Sequence, residues 1–397
     1  MSSTTLLVLS LEAWDDVWRR NQYLFDGLLR TDDQLTVVFV EPSRDLLHDS
    51  LHLRVPARGR GLRQAAGYEG RLFLYQPTKW LPRILGPFAD LFMRAALHRN
   101  LCRAGLRPDL MWLNDPGWYG IVERASLPTI YDITDDWLAA ARTRREHRRI
   151  VRADASLLKS CTSVVVCSEA LRKSRRHARD DIILIPNAVD VARYQTPAER
   201  PDDFPDRDIA LYVGTLHEDR LDVDLVARTG STLAAIGSAC VLLGPNALSA
   251  SNTSILANTP GVILLGPRSW DTVPGYLQHA AALIVPHIVS PFTDSLDPLK
   301  LYEYLAVGRP IVSTPVAGFR DGKPDDYLDV APRDTFPDTV ARCIARHSPD
   351  RSNPDVPDWS DRVRAVARVL ARSFQHTDLM NDALPETRRI DRWEFSS

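Results

Sequence analysis

Lysine is scarce in this chain: of 49 Lys+Arg residues only five are lysine, Lys79, Lys159, Lys173, Lys300 and Lys323. Arginine-favouring codon usage accounts for the bias, and it makes a lysine inside a motif worth notice. The cysteines number five, Cys102, Cys161, Cys167, Cys240 and Cys343, with no CxxC pair. An odd, scattered set excludes a disulfide framework and a cysteine-based zinc site. No apolar run approaches the ~20 residues that span a bilayer. The first apolar run, Leu6 to Leu9, has no basic residue before it, so a signal peptide is not expected and the chain reads as cytoplasmic. Net charge is also lacking: 49 cationic residues against 51 acidic ones give −2, which argues against a nucleic-acid coat. Neither half carries GxGxxG after its first strand, and there is no Walker lysine motif, which disfavours a dinucleotide-binding dehydrogenase or a P-loop enzyme.

What is present is a repeated alternation. Near-continuous apolar runs at 4–9, 35–42, 72–77, 109–115, 128–134, 163–168 and 182–187 read as strands buried on both faces, with helical patterns between them. A polar, proline-rich stretch at 195–208 reads as a linker. The pattern then restarts at 209–214, 239–244, 261–266, 282–287 and 310–314. The expectation is α/β, two doubly wound parallel-sheet, Rossmann-like domains facing a shared cleft, one over 1–195 and one over 209–360. Residues 361–397 read as a C-terminal helix and tail that packs back on the first domain.

Ligands of open α/β sheets bind at the carboxyl ends of strands, so the residues just past each strand carry the argument. After the first strand, Glu12, Trp14, Asp15, Asp16, Trp18, Arg19, Arg20 and Asn21 form a polar-aromatic patch suited to a polyhydroxylated ligand, or simply a helix start with core tryptophans. After the strand at 128–134 come Asp132, Asp135 and Asp136. Crowded carboxylates raise one another's pKa and suit a general base; equally, aspartates cap helices. In the second half Gly214 lets a ligand approach the backbone, and Arg220 six residues on can grip phosphate or pair with Glu218 or Asp222. The segment 282–314 is the most informative. A strand leads to a polar loop with Asp294, Ser295 and Asp297, then to a helix with Pro298 at its start and Leu299 and Lys300 in the first turn. A cation there opposes the helix dipole, a conflict that a bound diphosphate removes. Glu303 lies one turn on, placed either for ribose hydroxyls or for a surface pair with Lys300.

At these residues the sequence resembles the GT-B glycosyltransferases, in particular the retaining family 4 type and its branch of bacterial teichuronic-acid and exopolysaccharide enzymes. SLDPLKLYEYLAVGRPIVST resembles that branch's PLK-x-x-EYLA-x-G-x-P block. VVVCSEAL (164–171), IPNAVD (185–190) and YVGTLHEDRLD (212–222) resemble three further elements, in the same order. The resemblance spans about residues 109–315. It implies that Glu303 binds the donor ribose, that Arg220 and Lys300 neutralise its diphosphate, and that Gly214, Asp294, Ser295, Asp297 and Leu299 line the donor site. Ser295 stands where the family usually has the first of two glutamates. Trp14, Asp15, Arg19 and Asn21 are expected on the acceptor side, with Asp132, Asp135 or Asp136 as base.

The expected activity is transfer of a sugar from a nucleoside-diphosphate sugar, UDP- or GDP-linked, to a hydroxyl of a small-molecule, lipid-linked or glycan acceptor, without cofactor or metal and without nucleic acid. An epimerase or hydrolase acting on sugar nucleotides, or a non-catalytic binding subunit, are the alternatives. Trp80, Ile84, Phe88, Leu91, Phe92 and Ala95 recur at helical spacing, which fits core packing or a peripheral membrane contact at the inner face of the membrane. Six arginines within 141–152 read as a solvated helix face or an anion-facing surface.

Overall fold

A computed structural model describes residues 4–45, 58–79, 86–122, 124–125, 127–139, 143–321, 327–346 and 356–382. The chain divides into two compact units, residues 1–186 with 360–397, and residues 187–359. In unit 1 the elements are β1 (Thr4–Leu9), α1 (Arg20–Thr31), β2 (Leu35–Val40), β3 (Gly61–Gln64), β4 (Leu72–Gln76), α2 (Gly86–Arg103), β5 (Leu110–Leu113), β6 (Thr129–Ile133), α3 (Arg144–Ser160), β7 (Ser163–Val166), α4 (Glu169–Arg175) and β8 (Ile183–Leu184). They build an eight-stranded sheet in the order β8-β7-β6-β5-β1-β2-β4-β3. Every pairing is parallel except that of the edge strand β3, GLRQ, with β4. That strand lacks an apolar run, and so gave no sequence signal.

β1 is the centre. Leu9 is in register with Val40 of β2 on one side and Leu113 of β5 on the other. Leu6 to Leu9 are fully buried, as a strand covered on both faces requires. Phe25 of α1 meets Trp112 of β5 edge-on, ring centroids 5.7 Å apart. Because all strands but one run parallel, Ser10, Glu41, Asn114 and Thr134 emerge together at one end of the sheet.

Unit 2 contains α5 (Val191–Gln195), β9 (Ile209–Val213), α6 (Val223–Ala234), β10 (Ala239–Leu243), α7 (Ala250–Ala257), β11 (Val262–Gly266), α8 (Val273–Gln278), β12 (Ala282–Val285), α9 (Leu299–Val307), β13 (Ile311–Ser313), β14 (Leu328–Val330) and α10 (Phe336–Ala345). Its sheet, order β11-β10-β9-β12-β13-β14, is parallel throughout. The strand order reverses beside β9, the switch point at which such sheets bind ligands. The two doubly wound α/β units expected from the alternation are both present.

The unit boundary differs from the expected linker. The proline-rich stretch is tied into unit 2: Asp203 pairs with Arg268 and accepts the Tyr276 hydroxyl, and Phe204 packs edge-on against Tyr276 at 5.4 Å. The last helix, α11 (Trp359–Asp382), returns to unit 1, where Ser373 Oγ lies 3.2 Å from Ser163 Oγ and Val363 fills the space over Gly27.

Candidate functional site

Two clusters of polar side chains lie at strand ends, one in each unit. In unit 2 the loops after β9 and β10 open on Gly214 and Gly244, both at positive φ, +142° and +143°. A Cβ on Gly244 would fall 2.3 Å from the carbonyl oxygen of Gly214, and one on Gly214 would fall 2.7 Å from Lys300 Nζ. Only glycine permits these two turns to nest, and it leaves the backbone of Gly214 bare beneath an ammonium group.

Lys300 reaches that point from the first turn of α9, whose N-cap is Pro298 and whose first turn no side chain caps. Its Nζ lies 5.1 Å from the Tyr212 ring centroid. It forms no pair with Glu303, and among the described residues no carboxylate lies within ion-pair distance of it. Arg220 sits on a segment laced to the end of β12: Ile288 N donates to Arg220 O at 2.7 Å, and Asp222 N to Pro286 O at 2.9 Å. Its guanidinium pairs with neighbouring Asp219 at 3.0 Å and faces the Phe292 ring. Neither partner considered from sequence takes it, since Glu218 accepts from Ser249 and Asn252 and Asp222 holds Arg333. Burial, together with the charges of Lys300 and Arg220, holds the His287 imidazole well below its usual range, and His217 is lowered by burial and the same two cations. Lys300 and Arg220 thus both act on these two rings, secondary to burial.

Glu303 lies on α9 where Tyr194 OH donates to its Oε1 at 2.9 Å, and burial raises its carboxyl pKa. Of the loop residues expected to line a donor site, Ser295 donates to Phe292 O at 2.7 Å, and Asp294 pairs with Arg320 at 2.8 Å. Asp297 accepts from Asn187 N and, at 2.7 Å, from Tyr302 OH, while Asn187 Nδ2 donates to its carbonyl. These three residues shape the loop, and Leu299 opens the helix that carries Lys300.

In unit 1 the aspartate cluster does not stay together. Asp132 is fully buried on β6 and held by Arg20 through two contacts, Nε–Oδ2 at 3.1 Å and Nη2–Oδ1 at 3.2 Å. Asn114 Nδ2 adds a third, at 3.0 Å. A carboxylate so enclosed cannot serve as a base for a substrate, which corrects the first of the expected catalytic positions. Asp136 is likewise bound, by Arg175 Nη2 at 2.9 Å, in a buried chain continuing through Asp154 to Tyr131 OH. Two arginines, Arg20 and Arg175, take up separately the carboxylates that the sequence placed side by side. Asp135 faces the loop after β1 and acts electrostatically on Glu12.

That loop also holds Glu12, which the sequence placed only within a polar patch. Glu12 N donates to Ser10 Oγ at 2.9 Å, and Asn21 Nδ2 donates to the same oxygen at 3.0 Å. Among the described residues Glu12 Oε2, Asn21 Oδ1 and Asn114 Oδ1 are buried with no hydrogen-bond partner. Burial, with Asp135 and Asp15 nearby, raises the Glu12 carboxyl to about 7 against the lowering effect of Arg19 and Arg20. Trp14 packs edge-on between Phe39 and Tyr68, and Asp15 pairs with Arg19 at 3.2 Å. Glu12 could have been singled out in sequence as an acid within three residues of a central strand's carboxyl end.

On α2, Leu91 and Phe92 are 47% and 64% exposed, whereas Leu97 and Leu101 enter the core. Trp80 and Ile84 lie outside the described residues, as does the side chain of Phe88. Arg144, Arg145, Arg148 and Arg152 are exposed on α3. No helix among the described residues is long and apolar enough to cross a membrane.

Residues 207–348 match the family described as Glycosyl transferases group 1. A Bacillus subtilis (strain 168) protein named for teichuronic acid biosynthesis, the glycosyltransferase TuaH, is 24% identical over 246 residues, 58% of this chain and 59% of that relative's length. Among solved structures, sucrose-phosphate synthase from Thermosynechococcus elongatus superposes with a TM-score of 0.65 at 16% identity, covering 96% of this chain and 99% of that one. Trehalose 6-phosphate synthase from Burkholderia multivorans gives 0.61 at 14%, covering 98% and 100%. HepE from Anabaena, in complex with UDP-glucose, gives 0.57 at 14%, covering 96% and 100%. By sequence the segment that carries Gly214 and Lys300 matches the group 1 glycosyl transferase family, and by fold the chain resembles these two-unit GT-B structures.

Proposed function

We propose that this protein transfers a sugar from a nucleoside-diphosphate sugar to an acceptor hydroxyl, with the donor bound on unit 2. The observation that carries the donor site is Lys300: a cation without a carboxylate partner among the described residues, at the uncapped start of a helix, against the bare backbone of Gly214. Breaking a sugar–phosphate bond leaves negative charge on the diphosphate. Lys300, Arg220 and the free amides of α9 are the groups that stabilise it there without a metal. Glu303, held by Tyr194, is placed for the ribose hydroxyls. HepE supports a uridine nucleotide as the first donor to try, since its structure contains UDP-glucose.

Addition of UDP or GDP should raise the melting temperature in a thermal-shift experiment, because a ligand of the native state alone stabilises it. Release of free nucleoside diphosphate from the matching sugar nucleotide, dependent on an added acceptor, then distinguishes transfer from hydrolysis or epimerisation. Nucleotide binding with no turnover would mean a binding subunit. No shift with any nucleoside diphosphate would remove the donor site.

We also propose a peripheral membrane contact through Leu91, Phe92 and Ala95 of α2, all of them exposed, on the ground that apolar side chains bared to water in this way bind an interface. Liposomes with anionic lipid should carry the protein upward in a flotation gradient, and Phe92→Ser should reduce that fraction severalfold. Flotation that is absent at both low and moderate salt disposes of the contact.

A further inference from the structure

Near the carboxyl end of β1, three buried oxygens have no donor among the described residues: Glu12 Oε2, Asn21 Oδ1 and Asn114 Oδ1. Asn21 is 2% exposed and Asn114 3%, and each side chain is engaged through its NH2 end. Asn21 Nδ2 donates to Ser10 Oγ, the oxygen that also accepts from the Glu12 amide. Asn114 Nδ2 donates to Asp132, the carboxylate that Arg20 grips from α1. These contacts hold the three residues in place, and all of them lie within unit 1. Buried polar atoms are normally paired. Here each orphan is an acceptor, so the missing partner is a group rich in N–H or O–H.

The charges decide which of the two it is. At the start of α1, Arg20 is held by Asp132 and Arg19 by Asp15. Glu41, at the end of β2, is taken by Arg63 at 2.8 Å. The cations around Glu12 thus already serve other carboxylates, while Asp135 past β6 and Asp15 of its own loop act on it with like charge. Burial first, then those two aspartates, push its carboxyl up to about 7 against the lowering effect of Arg19 and Arg20. A neutral hydroxyl would satisfy the oxygens and leave this charge uncompensated. An ammonium supplies both needs, three N–H donors and a positive charge.

We propose that Glu12, Asn21 and Asn114 form a binding site within unit 1 for a primary ammonium group carried on a polyhydroxylated molecule, an amino sugar being the simplest case. The ammonium pairs with Glu12, and the two amide oxygens accept from it or from neighbouring hydroxyls. Glu12 is only half-buried and so gives entry, whereas both asparagines are closed in. The site requires no nucleotide and stands independently of the transferase reading.

The test titrates the full chain with glucosamine, glucose and N-acetylglucosamine, which share one ring and differ at a single position, by thermal shift and calorimetry. Glucosamine should raise the melting temperature and bind at least about tenfold more tightly than the other two, which lack the charge. Between about pH 5.5 and about pH 7, where the amine is largely protonated, its affinity should rise about tenfold as Glu12 ionises. Glu12→Gln should lose both the preference and the pH dependence, and Glu12→Asp should keep part of each. Glu12→Gln should melt no lower than wild type near pH 8, since it removes a charge that burial penalises, which separates a lost ligand from a lost fold. Potassium chloride at the same ionic strength should give no comparable shift. The site is overturned by equal shifts with all three sugars, by no shift with glucosamine, or by a shift that potassium chloride reproduces. A Glu12→Gln protein that keeps the preference and its pH dependence overturns it as well.

Discussion

Asp132→Ala is expected to destabilise unit 1 by about 3–5 kcal/mol, the loss seen when one member of a buried ion pair is removed and its partner is left charged. Arg20 is 4% exposed and Asp132 0%, so the guanidinium would have no route to water without opening the end of β1. Asn114 would lose one of its acceptors at the same stroke. Asp132→Asn should cost less, because the amide keeps the shape and one acceptor oxygen while giving up the charge. Denaturation followed by the fluorescence of Trp112, fully buried on β5 of the same sheet, reads the effect directly. An Asp132→Ala protein that unfolds at the wild-type midpoint would show that Arg20 has another counter-charge, and Asp132 would return as a candidate base.

Lys300→Ala should lower turnover of the donor by about 10²–10³-fold, the range for removing one preorganised group from a site of developing negative charge. Nucleoside diphosphate affinity should fall as well, by the ~1.5–3 kcal/mol of a charge-assisted hydrogen bond. Stability should hardly change, since Lys300 forms no ion pair among the described residues. The pKa of His287, depressed in part by that charge, should rise, which a proton NMR titration of the imidazoles can follow. Arg220→Ala should act in the same direction and more weakly, because Asp219 already takes part of its charge. If both variants keep wild-type turnover and nucleotide affinity, the donor site is elsewhere.

The sheets were legible in the sequence because buried parallel strands leave continuous apolar runs, and TLLVL, LTVVFV, ACVLL and ALIV each became a strand in the expected place. Strands without that signature, β3 and the three-residue β14, gave no warning. Lys300 stood out because a lysine opening a helix opposes the helix dipole and calls for an explanation. The aspartate cluster misled for a reason of direction. Sequence proximity puts Asp132 and Asp136 together, yet each points to its own buried arginine, Arg20 or Arg175, and those pairings span 112 and 39 residues. No local pattern encodes a partner so distant. Glu12 was visible within a polar patch, but its lack of a partner is a property of three dimensions alone.

The return of α11 to unit 1 has a consequence for the order in which the protein is made. Unit 2, residues 187–359, is inserted in unit 1, and both crossings are fastened within unit 2 where Val189 bridges Asp358 and Trp359 N donates to Val189 O. A ribosome therefore completes the inserted unit before it delivers the helix that covers Gly27. The first unit waits through the whole synthesis of the second, with the flank of α1 uncovered until α11 and its Val363 emerge.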